Sequence, residues 1–296
     1  MMMGRFMDYL YERCTYLFDP LHYYWEHEKI HRKISFLLVI FFLFSLLVIE
    51  FKRQGIIAGG WADFIPGNHF YAVQAAFTVV LILEVIGLIF TLPCSFSKSV
   101  GKQFEILSLI LIRNAFKELS YLPEPITVTG NQEAIMRIVS DGFGALLIFA
   151  LLGFYYKIQP RGHEEGARKG DLFSFVAAKK GIALILLGIF IYMGGKNAYL
   201  AASGLPRPDF FHDFYTLLII ADILLVLVAQ CFQPSYYAVF RNSGFALSTL
   251  LIRLALAAPA YFNVLLGVAA AVFAIAMTLT SNRLFTPEVK RLANSC

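Results

Sequence analysis

Phe104-Glu-Ile-Leu-Ser-Leu-Ile-Leu-Ile-Arg113 is a run of aliphatic residues with one arginine set deep inside it. A near copy, Phe245-Ala-Leu-Ser-Thr-Leu-Leu-Ile-Arg253, returns in the second half of the chain. Aligned on the arginines, Ser108 falls on Ser248 and both stretches end in Ile-Arg. An arginine at the centre of a bilayer costs roughly 2.5–3.5 kcal/mol on insertion scales. The same cost at the same register, met twice, reads as an internal duplication.

The surroundings make a bilayer the relevant solvent. Of the 296 residues, 58% are hydrophobic and only 15% charged, against about 25% charged in soluble domains. Mean hydropathy is +0.67. The expected fold is all-α, a polytopic integral membrane protein of about eight transmembrane helices arranged as two tandem four-helix repeats. The net charge of +5 does not point to nucleic acid, because the basic residues sit at span ends. The partners expected are the lipid bilayer and a second copy or another membrane protein. The four cysteines, Cys14, Cys94, Cys231 and Cys296, have no metal-ligand spacing and read as free thiols.

The spans fall at about 34–51, 71–92, 103–120, 134–156, 181–199, 214–232, 244–257 and 261–280; the alternative is six spans, with 103–120 lying on the surface and 244–280 forming one kinked span, and the charge placement favours eight. Most approach the ~20 residues a bilayer needs. With the N-terminus inside, most of the 25 Lys and Arg residues lie on the cytoplasmic side, as the positive-inside rule asks. That places both termini in the cytoplasm of a cell or inner membrane. Residues 1–33 form an amphipathic membrane-surface segment, with Asp19-Pro20 breaking its first helix. The first repeat occupies 34–156, a cytoplasmic linker 157–178, the second repeat 179–282 and a cytoplasmic tail 283–296. The duplication extends to paired basic residues (Arg32-Lys33, Lys179-Lys180), to His near Asp in the outer loops, and to Pro93 and Pro234 after spans two and six. Four spans per unit gives both copies one orientation, related by an axis along the membrane normal.

Counting 1.5 Å per residue, Arg113 and Glu84 come to similar depth on adjacent spans. So do Arg253 and Asp222. Two buried pairs are expected, Glu84–Arg113 and Asp222–Arg253, either lining an ion path or locking helices in register. Arg137 and Asp141 are one turn apart and read as a local pair. In the outer loops, His69 and Asp63, and His212 and Asp209, are candidates for a proton sensor or weak metal site, or for helix caps. His27-Glu28-Lys29-Ile30-His31 has the letters HExxH, which would hold zinc if His27 and His31 shared a helical face. No third ligand is evident, and no cofactor is expected outside that reading. The last span is rich in small residues from Gly267 to Ala271, which suits close helix packing.

From Phe77 to Arg113 the chain resembles a voltage-sensor-like four-helix membrane domain: a span bearing Glu84, a short turn at Pro93, then a span opening with Glu105. The resemblance implies a bundle in each half. It departs on the fourth helix, where Arg137 stands alone instead of beginning an arginine ladder. The function expected is non-enzymatic ion or solute transport, or a channel-like role. The rival readings are a structural or accessory subunit of a larger membrane complex, and an HExxH zinc hydrolase.

Overall fold

Long aliphatic runs without internal glycine–proline pairs have one way to satisfy their backbone in lipid, which is to close every hydrogen bond within the segment. The computed structural model describes residues 2–56, 66–123, 127–159, 169–206, 209–232 and 234–283. Among them the regular structure is entirely helical. The helices are α1 (Met2–Glu26), α2 (Glu28–Arg53), α3 (Phe70–Thr91), α4 (Phe96–Glu118), α5 (Gln132–Ile158), α6 (Lys169–Ala202), α7 (Phe210–Phe232), α8 (Tyr236–Ala257) and α9 (Phe262–Arg283), with a 3-10 turn at Leu119–Tyr121. Seven of these are long and apolar enough to cross a membrane, the mark of an integral membrane protein. The helix outside that set among α2–α9 is α4, whose Lys98, Lys102, Gln103 and Glu105 dilute its hydropathy.

Despite its polarity, α4 is central. It packs against α3, α5, α8 and α9 and buries Val100, Phe104, Leu107, Ile110 and Leu111. Hairpins α4–α5 and α8–α9 face one another through α4–α8 and α5–α9 contacts. Glycine and alanine at the crossings allow the close approach. A Cβ on Gly267 would meet Ile148 at 2.7 Å, and Ala270, Ala271 and Ala274 are buried. The turn between α8 and α9 is tight enough to put Tyr261 at φ 73, a left-handed conformation uncommon outside glycine. The two helices of this hairpin are tied by Ser248 Oγ donating to the Ala270 carbonyl at 3.2 Å and by a Tyr237–Ser281 hydroxyl contact. Pairs α2–α3 and α6–α7 flank this centre. Only 6% of the apolar window of α2 is buried.

Three boundaries differ from the sequence reading. The break expected at Asp19-Pro20 does not occur, and α1 continues to Glu26. An interior proline costs about 3 kcal/mol, and tertiary contacts offset it here. Phe18 is buried against Phe90, with ring centroids 5.7 Å apart. Trp25 stacks on Phe90, and Asp19 meets Lys180 Nζ at 2.6 Å. The helix instead stops at His27, and α2 starts at Glu28. Helix α6 begins at Lys169, so residues 169–178 of the expected linker are helical. Residues 160–168 of that linker and 284–296 of the tail lie outside the described residues.

Candidate functional site

Serine caps open the two helices that carry the buried arginines. Ser95 Oγ accepts from the Lys98 N–H and Ser235 Oγ from the Ala238 N–H, each at 3.4 Å. Such caps satisfy donors that the first turn leaves open. From these starts, α4 delivers Arg113 and α8 delivers Arg253 to the interior, where 9% and 1% of each residue stays exposed. Arg253 Nε lies 3.6 Å from Asp222 Oδ2 on α7. That is an ion pair slightly longer than a hydrogen bond. None of the three guanidinium nitrogens of Arg253 has a hydrogen-bond partner, nor does Asp222 Oδ2.

The other expected pair is looser. Glu84 and Arg113 lie within electrostatic range, but no ion pair forms, and Glu84 Oε2 is buried without a hydrogen-bond partner. Arg113 Nη2 turns to Asn114 Oδ1 at 3.5 Å. Between the two sets stands Tyr215 on α7, which is buried and within electrostatic range of Arg113, Arg253 and Glu84. Tyr215 thus links two charged sets, each with its own arginine, and this charge centre is carried by α4, α7 and α8.

Beside this centre is a cavity of about 10 Å³, lined in part by Ser99, Gln103, Asp222 and Thr249. Gln103 Nε2 donates to Ser99 Oγ at 3.4 Å, leaving the buried Oε1 without a partner. Thr249 Oγ1 donates to the Ala246 carbonyl at 2.8 Å.

Arg137 and Asp141 do not form the local pair that their spacing predicts. Arg137 turns to the other side, to Glu133 at 2.6 Å and Glu118 at 3.9 Å. Asp141 faces inward and accepts from Asn263 Nδ2 on α9 at 2.8 Å. The reason is that Glu133 lies one turn before Arg137, nearer the exposed helix end where a long guanidinium stem reaches easily. Asp141 is buried and takes the partner its own face offers.

Asp63 lies outside the described residues. His69 Nε2 meets Glu50 Oε2 on α2 at 3.1 Å, tying α2 to the start of α3. Asp209 Oδ1 accepts from the His212 N–H at 3.4 Å, a cap on α7. His27 is the N-cap of α2, with φ −71 and ψ 118, and its Nδ1 accepts from the Lys29 N–H. The five letters of HExxH are thus interrupted by a helix boundary, so His27 and His31 do not ride one continuous helix. His31 sits edge-on to Trp25. Among the described residues no group of three or more His, Cys, Asp or Glu gathers as a metal site would require.

Tyr215, Gln103 and Asn263 escaped the sequence reading. Tyr215 does carry a signal: it precedes Asp222 by two helical turns and so shares its face. Lys179, read only as a flanking charge, is buried. Its Nζ donates to the Cys94 carbonyl at 3.1 Å and sits over the rings of Phe96 and Phe175. No protein-family model, curated protein or solved structure matches the chain.

Proposed function

We propose that this chain is an eight-span transporter or channel-like protein, built from two tandem four-helix repeats of one orientation with both termini in the cytoplasm. Matching serine caps on α4 and α8, matching buried arginines and the same order of neighbouring contacts support the duplication. One observation carries the functional reading: a guanidinium 1% exposed, with every nitrogen lacking a hydrogen-bond partner, lies in the helix centre near Asp222 and Tyr215. Ionisable residues at such depth are expensive, and paths for ions or protons are where membrane proteins use them. Glu84, Arg113, Asp222 and Arg253 would carry the charge, with Tyr215 bridging the two sets.

The test is ion or solute flux in liposomes reconstituted with the full chain. Arg113→Gln and Arg253→Gln should abolish flux, and Tyr215→Phe should slow it at least about tenfold while folding is retained. Wild-type flux in folded Tyr215→Phe and Arg113→Gln proteins would refute the reading.

A second reading, an accessory subunit of a membrane complex, is favoured by α2. Its exposed side presents Phe36, Leu37, Ile40, Leu43, Phe44 and Leu47, and a groove of about 450 Å³ lies between it and α3. A stoichiometric partner retained in mild detergent and crosslinking to α2 would support that reading over transport.

A further inference from the structure

We propose that the cavity beside the charge centre is a binding site for one small monovalent cation, sodium in the first instance. At about 10 Å³ it has room for a single water-sized body. Of the residues that line it, those with unpartnered atoms offer acceptors, while the unpartnered donors of Arg253 lie behind Asp222 and outside the lining. Gln103 Oε1 and Asp222 Oδ2 are both buried, in residues 1% and 7% exposed. Thr249 Oγ1 and Ser99 Oγ also line it. The Thr249 hydroxyl donates to the Ala246 carbonyl and lies within reach of the Asp222 carboxylate, so the two groups face the same space. Whatever fills the space must therefore bring positive charge or protons to several oxygens at once.

Charge and ligand number favour a monovalent ion. Carboxylate, amide and hydroxyl oxygens suit hard cations. Calcium takes 6–8 oxygens, and magnesium keeps several waters, more than this cavity holds. The carboxylate of Asp222 is only partly answered by Arg253 at 3.6 Å, so it retains capacity for a second cation. Of the lysines near Cys94 on the lining, Lys179, Lys98 and Lys102, the buried Lys179 is engaged by the Cys94 carbonyl and two aromatic rings. A bound ion would compete with Arg253 for Asp222 and so link occupancy to the charge centre. In that respect the site deepens the transport reading and rests on it for its purpose.

The experiment is thermal unfolding of the full chain in detergent, comparing sodium, potassium and N-methylglucamine chlorides at about 0.15 M. Sodium should raise the midpoint saturably, by about 3 °C or more over N-methylglucamine. Gln103→Leu and Asp222→Asn should each remove that increment; if Asp222→Asn does not fold, Thr249→Val replaces it. No increment over N-methylglucamine, or an increment that survives in the variants, overturns the proposal and leaves a water-filled cavity. Flux measured in parallel separates the two readings. A sodium increment without flux upholds the site and removes transport, and flux without the increment does the reverse.

Discussion

Replacing Arg253 by methionine removes the cation and leaves Asp222 alone in the interior. The structure sets the scale. At 3.6 Å, with side chains 0% and 8% exposed, the gross attraction is about 4–5 kcal/mol at an effective dielectric of about 20. Desolvation offsets much of this. Stranding one partner of a buried pair still costs roughly 3–5 kcal/mol, whereas replacing both by apolar residues is often near neutral. The expected result is a loss of about 3 kcal/mol for Arg253→Met, at least as much for Asp222→Leu, which strands a guanidinium that stays charged, and a double variant close to wild type. Unfolding in mixed detergent micelles without sodium measures all four proteins, giving a coupling of at least about 1 kcal/mol. That is above the ~0.6 kcal/mol average for polar contacts between membrane helices. The parallel cycle on Glu84 and Arg113, which form no close ion pair, should give less than half that coupling. Additive losses at Asp222 and Arg253, or equal coupling in both cycles, would refute the reasoning.

Gly144→Ala should destabilise by about 1–3 kcal/mol, because a Cβ there overlaps both methyls of Val264 and overpacking outweighs the better helix propensity; the same micelle titration measures it. Asn263→Leu strands the buried Asp141 carboxylate and should cost about 1–3 kcal/mol, with Asp141→Leu added on the same chain recovering part of it. Arg137→Ala, by contrast, breaks ion pairs at a side chain 39% exposed and should change stability by less than about 1 kcal/mol. A larger loss there would show that the Glu118 contact works as a buried one.

How far the residues alone could carry the fold depended on which coordinate each clue reports. Hydropathy marks long apolar helices, and seven of the eight expected spans appear near their expected positions as helices apolar enough to cross a membrane, the one at 103–120 falling short. Depth counted along a span gives height but not azimuth. It brought Asp222 to Arg253, on helices that do face each other, and placed Glu84 level with Arg113 without aiming the two side chains together. Helical spacing put Arg137 and Asp141 on one face, but that face also held Glu133, and Asp141 found a partner on α9 far along the chain. Pro20 was read by its local chemistry, while Phe18, Trp25 and Lys180 decided the outcome. Gln103 and Tyr215 take their importance from neighbours on other helices, which no local pattern announces.

The clasp between α1 and α6 has a consequence for how the chain is assembled. Helix α1 precedes all the spans described, yet part of its seat lies beside Gly181 and Lys180, which are made later. Since chains are released from the N-terminal end forward, α1 can meet Phe90 on α3 early, while its contact with α6 waits until the intervening spans are made. The α6 side closes as a late fastener, and a nascent chain halted before residue 180 would lack the Asp19–Lys180 pair.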